Sequence, residues 1–347
     1  MELGPKENLL LNRIQKDFPL FSEPWKQMAD ELSIPEDTLL GMASSLKQKN
    51  LIRQISGIFD SHKIGYQSVL VAMEIPSENL DKAATLINSH PGVSHNYQRN
   101  HSYNLWFTLS IPSAKSLDNH ISRIIQYCQP LRTMTLPAIK VYRIGVHLDL
   151  TVINNKKDKT PEKKEINLSV LGEEPLSPED IDFIRIFQKD FPIVSHPYQR
   201  LIEGTSWSEK DLLAKADEFL KKGRLRRIAG LLHHRNAGFL ANAMIVWNIP
   251  DKKVEETGRL FAQNRFVSHC YQRPAYPDFP YTLYTMVHGK TQEDCQNYLA
   301  QLLKQSGSYP YQLLYSTKEF KKTRIQYYSP ELEQWEKEYP LIQNEVK

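Results

Sequence analysis

The sequence is poor in cysteine. Its 347 residues hold three, Cys128, Cys270 and Cys295, far apart, with no CxxC pair and no metal-ligand spacing. This argues against a disulfide frame or a zinc site and for a reducing compartment. Long apolar runs are missing as well. No stretch approaches the roughly 18 residues of a membrane span. The opening MELGPKENLL lacks the apolar core of a secretion signal. A cytoplasmic protein with no membrane association is expected. Net charge is small: 44 Lys and Arg against 40 Asp and Glu leave +4. That admits an anionic ligand, but nucleic-acid binding usually leaves a stronger basic stripe. The length suffices for two or more domains, each with its own core.

What the sequence does contain is itself, twice. Val93-Ser94-His95-Asn96-Tyr97-Gln98-Arg99 returns as Val267-Ser268-His269-Cys270-Tyr271-Gln272-Arg273. Gln15-Lys16-Asp17-Phe18-Pro19 returns as Gln188-Lys189-Asp190-Phe191-Pro192, and Arg53-Gln54-Ile55-Ser56-Gly57 as Arg226-Arg227-Ile228-Ala229-Gly230. Matches at a nearly constant offset mean two tandem copies of one unit. Alternation along a strand puts His95, Tyr97 and Arg99 on one face, and likewise His269, Tyr271 and Arg273. A proton carrier, a phenol and a fixed cation in a row suit neither a solvated strand nor a core strand. They suit a pocket for a flat, acidic ligand.

Each copy opens with a helical pattern. In the first, Leu9, Leu10, Ile14 and Phe18 predict one helix, Pro24 to Leu32 a second, and Leu39, Leu40 and Leu46 a third capped at Ser33-Ile34-Pro35-Glu36. A strand pair, Leu51 to Asp60 and His62 to Tyr66, completes a winged helix-turn-helix. Strand and helix then alternate. The strands are Gln67 to Ile75, Gly92 to Gln98, Tyr103 to Ile111 and Ala138 to Leu148; the helices are Glu78 to Ser89 and Ser116 to Tyr127. The second copy offers Asn242 to Ile249, Val254 to Gln263, Phe266 to Gln272, Tyr281 to His288, Gln292 to Gln305 and Arg324 to Tyr328. The order βαββαβ is ferredoxin-like.

The expected fold class is therefore α+β, a tandem duplication of a winged helix-turn-helix plus a ferredoxin-like domain. The expected divisions are 1–66 and 67–150 for the first copy, a polar linker over 151–175, and 176–239 and 240–347 for the second. Ser177-Pro178-Glu179-Asp180 reads as a helix start.

A winged helix followed by a βαββαβ domain resembles the Lrp/AsnC regulators. The residues narrow the likeness. Gly92 to Arg99, continued by His101-Ser102-Tyr103-Asn104-Leu105-Trp106-Phe107-Thr108-Leu109, resembles the signature of the siroheme decarboxylases. So do Leu136-Pro137-Ala138-Ile139-Lys140 before Arg143-Ile144-Gly145-Val146, and Lys318-Glu319-Phe320-Lys321-Lys322-Thr323-Arg324. Such enzymes commonly comprise two homologous subunits, so the chain looks like a fusion of an A-type and a B-type subunit. The resemblance implies loss of carbon dioxide from the C12 and C18 acetates of siroheme to give 12,18-didecarboxysiroheme, in an alternative haem b or a haem d1 pathway. No cofactor beyond the iron tetrapyrrole substrate is implied.

Cleaving a carbon–carboxylate bond releases an electron pair that the ring can take, and the protein must then deliver a proton. His95 and His269 suit that task or axial ligation of iron, His269 or His234 being the candidates for ligation. Tyr97, Tyr271 and His101 join them as catalytic candidates. His101 has no histidine counterpart in the second copy, which suggests inequivalent pockets. Arg99 and Arg273 are expected to grip carboxylates. Further candidates for the acidic arms are Arg226, Arg227, His233, His234 and Arg235, with His62 and Lys63 of the first wing, and Lys140, Arg143, Lys322 and Arg324. Trp106 would wall the ring. Two alternatives share this architecture, a haem-sensing DNA-binding regulator and a non-catalytic haem carrier. Against the first, the third helix begins Glu36-Asp37 and its copy Glu209-Lys210-Asp211, acids that would meet phosphate. The expected partners are siroheme and its product, with no DNA, and a homodimer of fused chains fits the fold.

Overall fold

The computed structural model describes residues 3–144, 175–232 and 241–342. They fall into two compact units, one holding 3–65 and 175–232, the other 66–144 and 241–342. Each unit thus contains the corresponding half of both copies. The polar linker lies outside the described residues. No helix among the described residues is long and apolar enough to cross a membrane.

In the first unit, helices α1 (Pro5–Lys16), α2 (Pro24–Leu32) and α3 (Glu36–Gln48) lead to strand β1 (Ile52–Phe59). The second copy answers with α6 (Pro178–Phe187), a short α7 (Pro197–Leu201), α8 (Glu209–Lys221) and β7 (Leu225–Leu232). Ser177 caps α6, its hydroxyl accepting from the Asp180 amide at 3.1 Å while the Asp180 carboxylate accepts from the Ser177 amide at 3.0 Å. Ser33 does not cap α3; it takes the left-handed position that ends α2, with φ of 53°.

The wing departs from expectation. β1 pairs antiparallel with β7 of the other copy, from Ile52 opposite Leu232 to Phe59 opposite Leu225. Residues 61–65 form a turn instead of a return strand. Asp60 causes it, one carboxylate oxygen accepting the amides of His62 and Lys63, and Gly65 then takes φ of 72°.

The repeated Phe-Pro motif now has a reason. The Phe18 amide donates to Ile228 O at 2.8 Å and the Phe191 amide to Ile55 O at 2.7 Å, so each copy docks on the other's wing strand. Their rings stand edge to face at 6.2 Å, among Trp25, Tyr198 and Phe187. Gly57 is required by close approach, since a Cβ there would meet the Phe187 ring at 2.7 Å.

In the second unit, the first copy supplies β2 (Tyr66–Glu74), α4 (Leu80–Ser89), β3 (Val93–Arg99), β4 (Leu105–Pro112), α5 (Leu117–Cys128), β5 (Arg132–Pro137) and β6 (Lys140–Ile144). The second supplies β8 (Ala241–Trp247), α9 (Asp251–Ala262), β9 (Val267–Gln272), β10 (Leu283–Gly289), α10 (Gln292–Ser306), β11 (Tyr311–Lys322) and α11 (Glu331–Glu338). They form one sheet in the order β5-β2-β4-β3-β11-β8-β10-β9-β6.

The last strand of each copy corrects the expectation. The fourth strand of the first copy is β5, while β6 pairs with β9 of the second copy. β11 pairs with β8 through Tyr311–Tyr315 and then with β3 of the first copy from Ser316 to Lys322. Arg324 to Tyr328 is not a strand. Register shifts at 316/318 and 319/321 break the alternation of β11 where it changes partners, which hid it.

Alternation sorts the sheet into faces. Val69, Val71, Met73, Phe107 and Leu109 pack with α4 and α5, and Ala243, Ile245, Trp247 and Val267 with α9 and α10. The opposite faces meet each other: Ala72, Trp106 and Leu136 of the first copy cluster with Met244, Val246, Tyr284 and Leu314 of the second. The sheet therefore folds over on itself around a shared inner layer.

The docking aromatics give a test. Phe18→Ala should destabilise the winged-helix unit by about 3–5 kcal/mol, as large aromatic truncations in cores do. Phe191→Ala should act in the same direction, both read by chemical denaturation.

Candidate functional site

The repeated strands are aimed by a bulge. On β3, Val93 pairs with Leu109 and His95 with Thr108; on β9, Val267 pairs with Val287 and His269 with Met286. Ser94 and Ser268 are the extra residues. Without them valine and histidine, two apart, would share a face. With them the valines stay on the helix side, as do Asn96, bonded to Asn88 at 3.0 Å, and Cys270. His95, Tyr97 and Arg99 turn to the inner layer, and so do His269, Tyr271 and Arg273. Each serine hydroxyl then lies 2.9 Å from Nδ1 of the histidine it displaced.

Both rows are built alike. Histidine and tyrosine rings are 6.1 Å apart in each copy. The Arg99 guanidinium lies 5.8 Å from the Tyr97 ring and that of Arg273 4.8 Å from the Tyr271 ring. Each arginine reaches across to the other half of the sheet, Arg99 Nη1 donating to Leu314 O at 2.9 Å and Arg273 Nη1 to Leu136 O. Each Nε lacks a partner among the described residues. No carboxylate of those residues pairs with either guanidinium. Arg99 is 6% exposed, and burial brings its pKa down to about 10, so it stays charged near neutral pH. An unpaired buried cation is costly unless an anion arrives.

His269 is the most perturbed of the row. Burial first, then the charges of His288, His95, Arg143 and Arg273, hold its pKa at about 3. The influence of His95 on His269 means the two rows approach each other. Ser268 also links His269 to His288, whose Nε2 is 2.9 Å from the hydroxyl, and the hydroxyl donates to Met286 O at 3.2 Å. With that proton spent on the carbonyl, both imidazoles donate to Ser268 Oγ. His269 then keeps its Nε2 lone pair for the pocket.

Other candidates are placed differently. His101 lies beyond the end of β3, in the turn to β4, its amide donating to Arg99 O at 2.9 Å. Its ring stacks on Tyr103 and meets Phe279 edge-on at 5.4 Å. Lys140 and Arg143 turn to the helix side instead of the pocket. Lys140 is paired with Glu255 at 2.7 Å, and Arg143 donates to Ala262 O and Asn264 O at the end of α9, both at 2.7 Å. Helix-end carbonyls attract such a cation. Lys322 is the cross-strand neighbour of His95, while Arg324 lies past the strand. Trp106 is inner core, its Nε1 donating to Tyr103 O.

In the winged-helix unit Arg226 is committed to Asp60 at 2.8 Å, Lys63 donates to Lys222 O, and Arg227 neighbours Asp17. His62 sits in the turn, its amide bonded to Asp60. His233, His234 and Arg235 lie outside the described residues. A cleft of about 430 Å³ beside Arg13, Phe21 and Leu213 is in this unit and holds none of the repeated His, Tyr or Arg. Among the described residues no His, Cys, Asp and Glu cluster could hold a metal ion.

Four residues around the rows, Ser94, Ser268, His288 and Tyr284, escaped the sequence reading. The serines were legible, being repeated. His288 and Tyr284 were not, since Ser110 and Trp106 stand at their places in the first copy's register. Tyr284 is 2% exposed, its ring 5.8 Å from the Arg273 guanidinium, and its hydroxyl has no partner among the described residues.

Comparison with known proteins fits this geometry. The chain matches the AsnC-like ligand binding domain over residues 63–143 and 236–321, and the siroheme decarboxylase NirDL-like HTH domain over 7–53 and 180–226. It is 38% identical to the siroheme decarboxylase of Hydrogenobacter thermophilus over 97% of this chain and 99% of that one. The chain belongs to the siroheme decarboxylase family. The siroheme decarboxylase NirDL subunit of Paracoccus pantotrophus is 28% identical over 90% of the chain and 94% of its own length. A crystal structure of the siroheme decarboxylase NirDL in co-complex with an iron-uroporphyrin III analogue aligns with a TM-score of 0.76 at 34% identity, covering 96% of this chain and 98% of that one.

The depressed His269 has a consequence for this family member's stability. An unfolded chain would bind a proton at His269 near pH 6.5, whereas the folded one resists until about pH 3. Its contribution is thus intact above pH 6.5 and erodes as pH falls towards 3, by at most about 1.4 kcal/mol per unit. Unfolding midpoints of the second unit measured across that range should show a slope that His269→Gln flattens.

Proposed function

We propose that the chain removes the C12 and C18 acetate carboxyls of siroheme, giving 12,18-didecarboxysiroheme and two molecules of carbon dioxide. The observation that carries this reading is the pair of inner-face guanidinia, Arg99 buried and Arg273 half-buried with its Nε enclosed, which lack carboxylate partners among the described residues. Such cations call for a polyanion, and the rings beside them suit a flat one.

The chemistry asks three things of the protein. The macrocycle must be held, the reacting carboxylate must be stripped of water, and a proton must reach carbon. When the C–CO₂⁻ bond breaks, its electron pair passes into the ring system, carbon dioxide leaves, and a proton converts the remaining methylene carbon to methyl. No resident cofactor is needed, because the substrate takes and returns the pair. Arg99 and Arg273 hold carboxylates through the N–H groups not used on Leu314 O and Leu136 O. His269, neutral at physiological pH with a free Nε2, suits the substrate iron or a hydrogen bond, but it is no proton store. His95 is the acid in this reading, oriented by Ser94. Tyr97, Tyr271 and Tyr284 offer hydroxyls or ring faces to the macrocycle. The acidic first turns of α3 and α8 support the absence of DNA from this account.

Anaerobic incubation of the purified chain with siroheme tests the proposal. The product should lose the mass of two carbon dioxides; siroheme recovered unchanged would leave a carrier. His95→Ala should slow turnover by about 10²-fold or more, the range for a removed general acid, while binding followed by the Soret band changes less.

A further inference from the structure

Outside the pocket, one cluster of titratable groups is unexplained by the reaction. Helix α11, from the C-terminal end of the second copy, packs on the helical side of the first. Trp335 is 3% exposed there, lies 4.2 Å from the His90 ring, and donates from Nε1 to Ser89 Oγ at 3.0 Å. Beside it Glu336 accepts from His120 Nε2 at 3.0 Å and from Lys115 at 2.7 Å. His120 Nδ1 is 3.0 Å from His90 Nε2, and His90 Nδ1 accepts the Gly92 amide at 2.9 Å. His90 is fully buried and His120 is 1% exposed.

The protons of this chain have one arrangement. The Gly92 amide makes His90 Nδ1 an acceptor, which puts the His90 proton on Nε2. His120 therefore accepts at Nδ1 and donates from Nε2 to the carboxylate. Burial keeps both imidazoles below the ordinary histidine value, with Lys321 and Arg123 adding at His90, and Arg123 and Lys115 at His120. Two neutral rings thus relay one carboxylate, balanced by Lys115, to a single backbone amide.

That amide is at the root of the site. Gly92 precedes β3 by one residue and the bulge at Ser94 by two. Its carbonyl accepts from the Ser110 amide at 2.8 Å, and a Cβ at Gly92 would meet Ser110 O at 2.3 Å. The place of His90 in the second copy is held by Asn264, bonded to Gln305 at 2.9 Å, with no imidazole in the link.

We propose that Glu336 is a positioning residue for the decarboxylation: through His120 and His90 it fixes the Gly92 amide and hence the bulge that aims His95. The second copy's C-terminal helix thereby completes the first copy's half of the pocket. This rests on His95 serving the reaction as proposed above.

The test measures kcat and KM for siroheme with the full chain, at a temperature where each variant is folded by circular dichroism. Wild-type turnover comes first; its absence would overturn the decarboxylase reading and this inference with it. Given turnover, Glu336→Ala should lower kcat about tenfold with KM within about twofold, the mark of a small misplacement far from the chemistry. Glu336→Gln, which still accepts from His120, should keep at least about half of kcat, and Lys115→Ala, which loosens α11 but spares the relay, should do the same. His90→Asn, which copies the second copy's residue, should lose kcat as Glu336→Ala does, and it decides the matter if Glu336→Ala does not fold. Wild-type kcat in Glu336→Ala or His90→Asn would overturn the proposal. A loss in Lys115→Ala equal to that in Glu336→Ala would also overturn it, because helix attachment alone would then explain the effect.

Discussion

A strand at the edge of a sheet leaves every second N–H and C=O unpaired, and something must cover them. In each copy of this chain the strand so placed is the one that carries histidine, tyrosine and arginine. Neither copy closes its own edge. β6 leaves the first copy to pair with β9, and the second half of β11 leaves the second copy to pair with β3. Both rows become interior, and the inner layer cannot form from one copy alone. The same exchange governs the winged helices, where β1 and β7 are each other's only strand partners among the described residues. A fused chain suits this geometry because it holds the two complementary edges together at high effective concentration.

Inside that frame the charges are arranged against their own stability. Two inner-face guanidinia, Arg99 buried and Arg273 half-buried, lack carboxylates among the described residues, and one histidine is held neutral by its surroundings. Natural proteins accept such departures at sites whose ligand repairs them. A polyanionic macrocycle would supply the missing countercharge. The neutral imidazole is also the form that offers a lone pair, so the burial that removes His269 from acid chemistry fits it for a different task. Geometry and electrostatics point the same way, and neither alone would suffice.

The duplication, the helix order and the face of the repeated strands were legible in the sequence, because each rests on local periodicity or on repeated residues. What was not legible depends on partners. Lys140 and Arg143 read as pocket cations, yet β6 turns them towards α9, a choice made by a strand of the other copy. The wing read as a hairpin because the second strand of the pair lies far away in the chain. Helix α11 left no mark strong enough to separate it from a polar tail, although Trp335 now stands out as its anchor. His288 and Tyr284 matter only through register, which composition cannot supply.

The two rows share their own residues but not their neighbours. Opposite His95 and Tyr97, β11 places Lys322 and Glu319; opposite His269 and Tyr271, β6 places Ile144 and Val141. The bulge, the serine and the histidine are common to both copies, so the aim of each imidazole is common too. The difference lies in the strand that flanks it. An apolar flank strips water from whatever lies beside His269, which favours breaking a bond to a carboxylate. The flank beside His95 instead carries an ammonium and a carboxylate, groups that could return a proton to it. If His95 supplies the proton as proposed, the two copies would divide one reaction, the His269 side loosening carbon dioxide and the His95 side returning the proton. A symmetric pair of pockets would have had to do both in the same surroundings, and the same burial that helps the first step withholds the proton from the second.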